Sequence, residues 1–358
     1  GSPSKDPALQ MRNGKIAEFP YLNEIMDAFR RYYRGYGQIV PQANFEEDGQ
    51  GLPEYAVSRC GAEAIEFKFG QSAKGTQPVT RLKDYDAALK KKATGALVHP
   101  DPEDPAVRAA AERGEAPNFY AYGRLPMWDE EYLVTRIGML RDMGLKNVYF
   151  KMAGFDPVDI ERVLRIAASA EVDVVTFDGA GGGSGYSPCK MMNEWGLPTV
   201  PLESTVCGIA RRLRREGLEL PSMVITGGFA TEDQVFKALA LGAPCFQAVG
   251  LCRAAMAAAN SAKKVGELIE AGNIPAYLQK YGDSKETLFA DLPDLRHLYG
   301  KEAESFPAGA IGVFSYLNRI AMGLRHYAAL NRKVDVNLLG PDDLIPLTPE
   351  AAELLAGR

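Results

Sequence analysis

The chain of 358 residues has 46% hydrophobic and 24% charged residues, which is typical of a globular protein and argues against disorder. A net charge of -5 and a pI of about 5.5 give no support for nucleic-acid binding. The five cysteines form no CxxC pair and there are only three histidines, so neither a disulfide framework nor a metal site is expected.

The composition predicts a cytoplasmic protein with reduced thiols, and a homo-oligomer is expected. The leading Gly1-Ser2 resembles an expression-vector remnant. Membrane association on the cytoplasmic side, through a removed upstream anchor, therefore stays open as an alternative.

In chain order, residues 1–40 form a predicted helical arm, whose amphipathic segment is FPYLNEIMDAFRRYYRGYG. Short β-branched runs then alternate with helical patterns. The predicted strands are GQIVPQA (37–43), AIEFKFG (64–70), GALVHP (95–100), KNVYFKMA (146–153), VDVVTFDG (172–179), LPTVPLES (197–204), PSMVITGG (221–228) and APCFQAVG (243–250).

This alternation predicts parallel βαβ units in an α/β protein. A (β/α)8 TIM barrel over residues 41–258 is favoured, and an open doubly wound sheet is the alternative. Residues 259–358 are predicted to form C-terminal helices and a tail packed on the barrel. In either architecture the ligand lies at the carboxyl ends of the strands.

Three glycine motifs lie at the ends of predicted strands. The loop FDGAGGGSGYSP (177–188) begins at the end of the strand at 172–179, Gly227 and Gly228 end the strand at 221–228, and Gly250 ends the strand at 243–250. Glycine allows the backbone to come close to a ligand, and helix N-termini favour anions. A phosphate site at Gly227, Gly228 and Gly250 is therefore expected.

Lysines lie on or just after two of these strands. Lys68 and Lys151 are flanked by apolar residues, and Lys74 follows in the loop FGQSAKG. A lysine inside a strand is unfavourable unless it faces a polar cavity or a counter-charge. Lys68 and Lys151 are therefore expected to face the barrel mouth, where a positive charge would suit a flavin.

Two other residues leave alternatives open. His99 is either a proton shuttle or a structural histidine. Cys189, just after the glycine loop, is either a neighbour of the ligand or, more in keeping with a free cysteine, a small packing residue.

Taken in order, the motifs KFGQSAKG, FDGAGGGSGYSP, GLP (196–198), ITGGFATEDQVFKALALGA and the VG at 249–250 resemble the FMN-binding synthase domain of glutamate synthase. The resemblance covers about residues 60 to 255 and implies a (β/α)8 barrel that binds FMN. The C-terminal part resembles stand-alone proteins of the FMN-binding glutamate synthase family.

The resemblance also implies roles for individual residues. Lys68 would contact FMN, Lys74 would face the carboxylate of a 2-oxo acid, and Gln71 shares their motif. Lys151 would lie near the flavin, with roles in both binding and catalysis. The remaining cofactor-binding residues implied are Gly181, Gly182, Gly183 and Ser184 against the flavin, and Gly227, Gly228 and Gly250 at its phosphate.

The sequence departs from the family in several respects, among them a missing NTGEGG-type segment and a short loop after Lys74. Of the cysteine cluster that would hold a 3Fe-4S centre, only Cys252 is present, and no amidotransferase domain with an N-terminal cysteine is found. The prediction is an FMN-dependent oxidoreductase that exchanges hydride with a small 2-oxo, 2-imino, amino or hydroxy acid. The alternative is a flavoprotein subunit or binding module that needs a separate partner chain, such as an electron-donor protein.

Overall fold

The computed structural model describes residues 3, 6–69, 79–93, 96–122, 129–154, 156–182 and 189–356. The chain divides into two compact units, Gly1–Gly227 and Gly228–Arg358. The predicted domain boundaries after residues 40 and 258 stay predictions.

The first unit contains ten strands and eight α-helices among its described residues. In chain order they are β1 (Gln10–Arg12), β2 (Lys15–Glu18), α1 (Pro20–Tyr32), β3 (Gln42–Ala43), α2 (Phe45–Gly49), α3 (Leu52–Ser58), β4 (Ala64–Lys68), β5 (Thr80–Arg81), α4 (Tyr85–Ala93), β6 (Val98–His99), α5 (Pro105–Glu112), β7 (Tyr120–Ala121), α6 (Glu130–Asp142), β8 (Asn147–Ala153), α7 (Pro157–Ser169), β9 (Val174–Asp178), α8 (Thr199–Arg215) and β10 (Ser222–Thr226). A 3-10 turn (Ala180–Gly182) and a π-helical turn (Met191–Trp195) follow β9.

A parallel sheet forms the centre of this unit. Its strands lie in the order β3-β4-β8-β9-β10, so the order across the sheet is the order along the chain. A doubly wound sheet would reverse its order at a switch point, whereas a barrel does not. The predicted α/β fold class is confirmed, and the strand order is that of the favoured fold, the barrel.

One face of this sheet is wholly apolar. Alternate residues of each strand point to opposite faces, and on this face they are between 0% and 4% exposed. They are Ile65, Phe67, Val148, Phe150, Met152, Val175, Phe177, Met223 and Ile225. The core of the first unit therefore lies on this side, which leaves the opposite face for polar side chains.

The helices begin where the sequence provides caps. The Asp156 side chain accepts a hydrogen bond from the Val158 N–H, and Pro157 occupies the first turn of α7. Asp129 caps α6 in the same way by accepting from the Tyr132 N–H. Such caps fix where each helix leaves its strand.

The N-terminal arm is bound to the body of its unit. It contains the predicted helix, α1, together with the hairpin β1–β2, which the sequence analysis did not predict. The Asn23 amide donates to the Tyr55 hydroxyl over 3.0 Å, and that hydroxyl also accepts from the Phe19 N–H. The arm is therefore anchored on α3.

A buried group of charged residues, here called the Arg136 cluster, joins α2 and α3 to α6. Arg136 donates to Asp48 over 2.9 Å and to Glu54 over 2.7 Å, and the Tyr132 hydroxyl donates to Asp48 over 2.9 Å. Asp48 is 2% exposed and Arg136 is 7% exposed. Each charge in this cluster has an opposite charge within hydrogen-bonding distance.

Two segments that were predicted to be strands of the barrel are not part of the parallel sheet. The segment at 95–100 contributes only β6, which lies in a small antiparallel sheet of order β5-β7-β6 with its own core around Phe119. The strand predicted at 197–204 was wrong, because α8 begins at Thr199. Pro201 lies in the first turn of α8, where the backbone N–H has no partner within the helix to lose.

The second unit is mainly helical in its described part. Its elements are α9 (Glu232–Gly242), β11 (Phe246–Gly250), α10 (Arg253–Glu270), α11 (Ala276–Gln279), α12 (Lys285–Leu288), α13 (Leu292–Tyr299), α14 (Ala308–Leu330) and α15 (Pro349–Ala356), with 3-10 turns at Gly300–Ser305, Val336–Leu338 and Pro341–Asp343. Helices α10 and α14 pack closely, since a Cβ on Gly312 would lie within 3.0 Å of Ala262. The predicted C-terminal helices are confirmed.

None of the helices in the described part of the chain has the length and apolar character needed to cross a membrane.

Candidate functional site

The face of the parallel sheet opposite the apolar core is lined with polar side chains, and is here called the polar face. Strand register fixes its members, because residues paired across neighbouring strands share a face. Near the carboxyl ends of the strands they are Glu66, Lys68, Lys151, Thr176, Asp178 and Thr226. The sheet therefore presents polar chemistry at the edge where parallel α/β sheets bind ligands.

Lys68 and Lys151 are directly opposite each other on β4 and β8. Both side chains are half-buried on the polar face. Two positive charges on neighbouring strands repel each other, so the pair is destabilising unless negative charge is nearby. The register thus places both lysines on one face, together with the carboxylates of Glu66 and Asp178, and their orientation toward a barrel mouth stays a prediction.

Asp178 is a member of this group that the sequence analysis missed. It is 2% exposed, and one carboxylate oxygen lies 3.8 Å from the Lys151 Nζ. Its other carboxylate oxygen accepts a hydrogen bond from the Thr226 hydroxyl. The sequence does contain a signal for Asp178. It directly follows the run VVTF and lies two residues after Thr176, so a strand there would place both side chains on the same face.

The glycines after β9 are required by close packing within the protein. A Cβ on Gly182 would lie within 3.0 Å of the Asp178 carboxylate, and one on Gly181 would lie within 3.0 Å of the Gly227 carbonyl oxygen. Real Cβ atoms are essentially never found so close to other heavy atoms. The contact of Gly181 and Gly182 with a flavin stays a prediction, and Gly183 and Ser184 lie outside the described residues.

Thr199, the first residue of α8, connects the ends of β9 and β10. Its hydroxyl donates a hydrogen bond to the Gly227 carbonyl over 2.8 Å. Glu203, one turn further along α8, is 1% exposed. Residues four apart share a helix face, so Thr199 and Glu203 lie on the same side of α8. Because this segment was predicted to be a strand, neither Thr199 nor Glu203 was predicted as a site residue.

The other predicted site residues are distributed as follows. Lys74 and Gln71 lie outside the described residues. Gly227 ends the first unit with φ +143°, and Gly228 begins the second with φ +95°, both in the region that favours glycine. Gly250 ends β11 in the second unit, shortly before α10 begins. A phosphate site at these three glycines stays a prediction.

His99 and Cys189 are not placed on the polar face. His99 is exposed on β6, in the small antiparallel sheet, and so is not on a strand of the parallel sheet. Cys189 is exposed, and the interpretation as a packing residue was wrong. The chemistry of the candidate site therefore depends on lysine, aspartate and threonine side chains.

Residues 124–264 match the family described as "Conserved region in glutamate synthase". The match includes Lys151, Asp178, Thr199 and Gly227, which are the residues that the geometry brings together around β8, β9 and β10. Residues 124–264 of this chain are thus similar to the conserved region of glutamate synthase. The family resemblance inferred from the motifs is confirmed.

Two glutamate synthases are similar to part of this chain. The archaeal-type glutamate synthase (NADPH) of Dehalococcoides mccartyi is 39% identical over 90 residues, which is 25% of this chain and 17% of that protein. The archaeal glutamate synthase (NADPH) of Methanocaldococcus jannaschii is 38% identical over 92 residues, again 25% of this chain and 17% of that protein. The matched part is thus less than a fifth of each relative.

Among solved structures, the flavin-binding domain of baker's yeast flavocytochrome b2 is similar, with a TM-score of 0.48 and 13% identity. That likeness covers 92% of this chain and 62% of the other. An (S)-mandelate dehydrogenase has a TM-score of 0.45 and 15% identity, covering 90% of this chain and 67% of the other. Both scores are below 0.5, so the fold is judged from strand order and register.

Proposed function

We propose that this chain is a flavin-dependent oxidoreductase of the glutamate synthase type, which binds FMN at the carboxyl ends of its parallel strands. The observation that carries the proposal is the pairing of Lys68 with Lys151 on the polar face. The conserved glutamate synthase region around Lys151 supports it. When bound, FMN supplies reversible hydride transfer, which no protein side chain provides.

The polar face fits such a cofactor by its charge. FMN carries a phosphate and gains negative charge on its ring system when it is reduced, and both favour nearby cations. Lys68 and Lys151 provide two cationic side chains on one face. In this proposal Asp178 holds Lys151, since their charged atoms lie 3.8 Å apart. Lys74 binds the carboxylate of the substrate, and Gln71 lies beside it in the sequence.

The proposed substrate is a small 2-oxo, 2-imino, amino or hydroxy acid. A carboxylate is common to all four classes, and lysine is the cation that the loop FGQSAKG offers to it. The proposed partners are this small acid and an electron-donor protein or subunit. Production of glutamate itself is a narrower possibility within the same reaction class.

The second candidate function is a flavoprotein subunit that needs a separate chain for catalysis. The observation that favours it is the cysteine content of the segment after β11, where Cys252 is the single cysteine of LCRAAMAAANSAKKVG. A cluster with cysteine ligands would need several thiolates. Electrons would then reach the flavin through a partner.

Flavin titration tests whether the protein binds FMN. The purified protein, depleted of cofactor and titrated with FMN, is expected to quench flavin fluorescence and to give a saturable complex. The Lys68→Ala variant is expected to bind FMN more weakly, whereas Lys74→Ala is expected to bind it as wild type does. Absence of FMN binding by the wild-type protein would overturn the proposal.

Anaerobic reduction separates the two functions. The FMN-loaded protein is mixed with a panel of amino and hydroxy acids, and bleaching of the flavin absorption is followed. Bleaching by a member of the panel, lost in Lys74→Ala, supports the oxidoreductase. If only an added electron-donor protein bleaches the flavin, the reduced protein is mixed with 2-oxo acids and ammonia: reoxidation that is lost in Lys74→Ala supports the oxidoreductase, and no reoxidation supports the subunit.

A further inference from the structure

The hydroxyl-bearing side chain of Thr199 lies in a slot between two strand ends. A Cβ on Gly179, the residue after β9, would lie within 3.0 Å of the Thr199 side chain and of its Cα. A Cβ on Gly227, the residue after β10, would lie within 3.0 Å of the Thr199 hydroxyl oxygen. Glycine at 179 and 227 is therefore complementary to a side chain at 199.

The slot is also closed by hydrogen bonds. The Gly179 N–H donates to the Thr226 carbonyl over 2.9 Å, which holds the ends of β9 and β10 together. The Thr199 hydroxyl donates to the Gly227 carbonyl over 2.8 Å, which ties the start of α8 to the same place. Three consecutive elements of the fold thus meet at one threonine.

The hydrogen bond from Thr199 fixes a peptide plane. In a trans peptide the carbonyl and the following N–H point in opposite directions, and the peptide after Gly227 is trans. When the Gly227 carbonyl is turned toward Thr199, the N–H of the same peptide is turned away from it. That orientation matters because glycine at φ +143° has access to many other backbone conformations.

We propose that Thr199 is a positioning residue for the flavin site, whose hydroxyl locks the glycine turn after β10 in the conformation that binds the cofactor. This inference rests on the proposed function. Without the hydroxyl, the turn populates other orientations, and the apparent affinity falls by the fraction of molecules that remain competent. Thr199 acts through the backbone and is not itself assigned a contact with the flavin.

Two substitutions distinguish the hydrogen bond of Thr199 from the shape of its side chain. Valine has nearly the shape of threonine but cannot donate a hydrogen bond, whereas serine keeps the donor and loses only the methyl group. Thr199→Val and Thr199→Ser therefore separate the hydroxyl from the packing of the side chain. A positioning role predicts that serine rescues binding.

Helix α8 provides a matched control. The Thr205 hydroxyl donates to the Pro201 carbonyl over 2.8 Å, so Thr205 has the same chemistry on the same helix, and both threonines are half-buried. It does not contact the glycines of the slot among the described residues. Thr205→Val removes an equivalent hydrogen bond without touching either glycine turn.

The test is FMN titration of the cofactor-depleted full chain, by fluorescence quenching, with thermal melting recorded for every variant. Thr199→Val is expected to weaken FMN binding about three- to tenfold, which is the net effect of one lost hydrogen bond. Thr199→Ser and Thr205→Val are expected to bind within about twofold of wild type. Thr199→Val is also expected to change the absorption spectrum of bound FMN.

Three outcomes would overturn the inference. In the first, Thr199→Val binds FMN as wild type does. In the second, Thr199→Ser is weakened as much as Thr199→Val, which would assign the effect to packing. In the third, Thr205→Val is weakened equally, which would make the effect one of general stability. If the wild-type protein itself does not bind FMN, the proposed function fails, and this outcome is distinct from those three.

Discussion

Two groups of charged side chains in the first unit show how differently a fold can use charge. In the Arg136 cluster, one guanidinium meets two carboxylates within hydrogen-bonding distance. Burial alone would lower the pKa of Arg136, but the hydrogen bonds and charges of Glu54 and Asp48 raise it above its ordinary value. On the polar face, two lysines are paired in register, and the carboxylate of Asp178 is 3.8 Å from one of them.

The difference separates a structural cluster from a binding site. A closed set of buried charges stabilises because each charge satisfies the next, and removal of one member leaves the others buried without a partner. On the polar face the Asp178 carboxylate lies 3.8 Å from Lys151, beyond hydrogen-bonding distance, so we expect the ammonium group to donate to a bound anion as well. We therefore expect substitutions in the Arg136 cluster to change stability, and substitutions on the polar face to change cofactor binding.

The largest effect is expected for Arg136→Met. The substitution leaves the Asp48 carboxylate buried without its cation, so the free energy of unfolding is expected to fall by about 3–5 kcal/mol. Urea denaturation measures the change. The control is Arg165→Met, whose ion pairs with Glu161 and Glu216 are exposed and are expected to contribute at most about 1 kcal/mol. An equal loss in both variants would contradict the distinction.

The next effect is expected for Lys151→Met, which keeps the length of the side chain and removes its charge. FMN affinity is expected to fall about tenfold or more, because hydrogen bonds and ion pairs that involve a charged group contribute about 1.5–3 kcal/mol. The free energy of unfolding is expected to fall less than in Arg136→Met, because Asp178 lies 3.8 Å from Lys151, beyond hydrogen-bonding distance, whereas Arg136 donates to Asp48 over 2.9 Å. Lys146→Met is the control, since Lys146 pairs with Glu63 on the surface. Full FMN affinity in Lys151→Met would remove Lys151 from the site.

A smaller effect is expected for Asp178→Asn. The amide can still accept from Thr226 but no longer offsets the charge of Lys151, so bound FMN is expected to become easier to reduce. We expect its midpoint potential to rise by about 15–30 mV, which corresponds to about 1 kcal/mol for a two-electron couple. Anaerobic redox titration measures it, with the exposed Glu219→Gln as control. A fall in the potential would show that Asp178 does not act through Lys151.

The smallest effect concerns Tyr132 in the Arg136 cluster. Burial, and then the charge and hydrogen bond of Asp48, raise the pKa of Tyr132 to about 12 from its ordinary value of 10.0. Because the folded-state pKa is raised, this contribution to stability is complete below pH 10 and is lost as the pH rises through about 12. Wild type should therefore lose more stability than Tyr132→Phe between these values. Parallel alkaline melting curves for the two proteins would contradict the assignment.

Parts of the fold and of the site could be predicted because they depend on local patterns. The runs around Lys68 and Lys151 alternate in burial as strands do, and that period is readable in each run by itself. Asp156 and Pro157 marked the start of α7 for reasons contained in four residues. The motifs that resemble the glutamate synthase family are also short and lie at the ends of predicted strands, so they could be recognised without the fold.

Other parts could not be predicted from local patterns. The β-branched residues Thr199 and Val200 favour a strand by propensity, but the chain forms a helix there because packing decides. That error concealed Thr199 and Glu203. Asp178 was missed because its partners, Thr226 and Lys151, are distant in the sequence and meet only through strand pairing.

The sequence by itself determined the α/β class, the strands that carry the two lysines and the glycines at the strand ends, since each follows from a period or from backbone freedom within a few residues. Only the tertiary structure decided which other residues contact these lysines and glycines. The pairing of β8, β9 and β10 brings Asp178 to Lys151, and the start of α8 brings Thr199 to Gly179 and Gly227. Such contacts depend on register and on helix placement, which are properties of the packed chain as a whole.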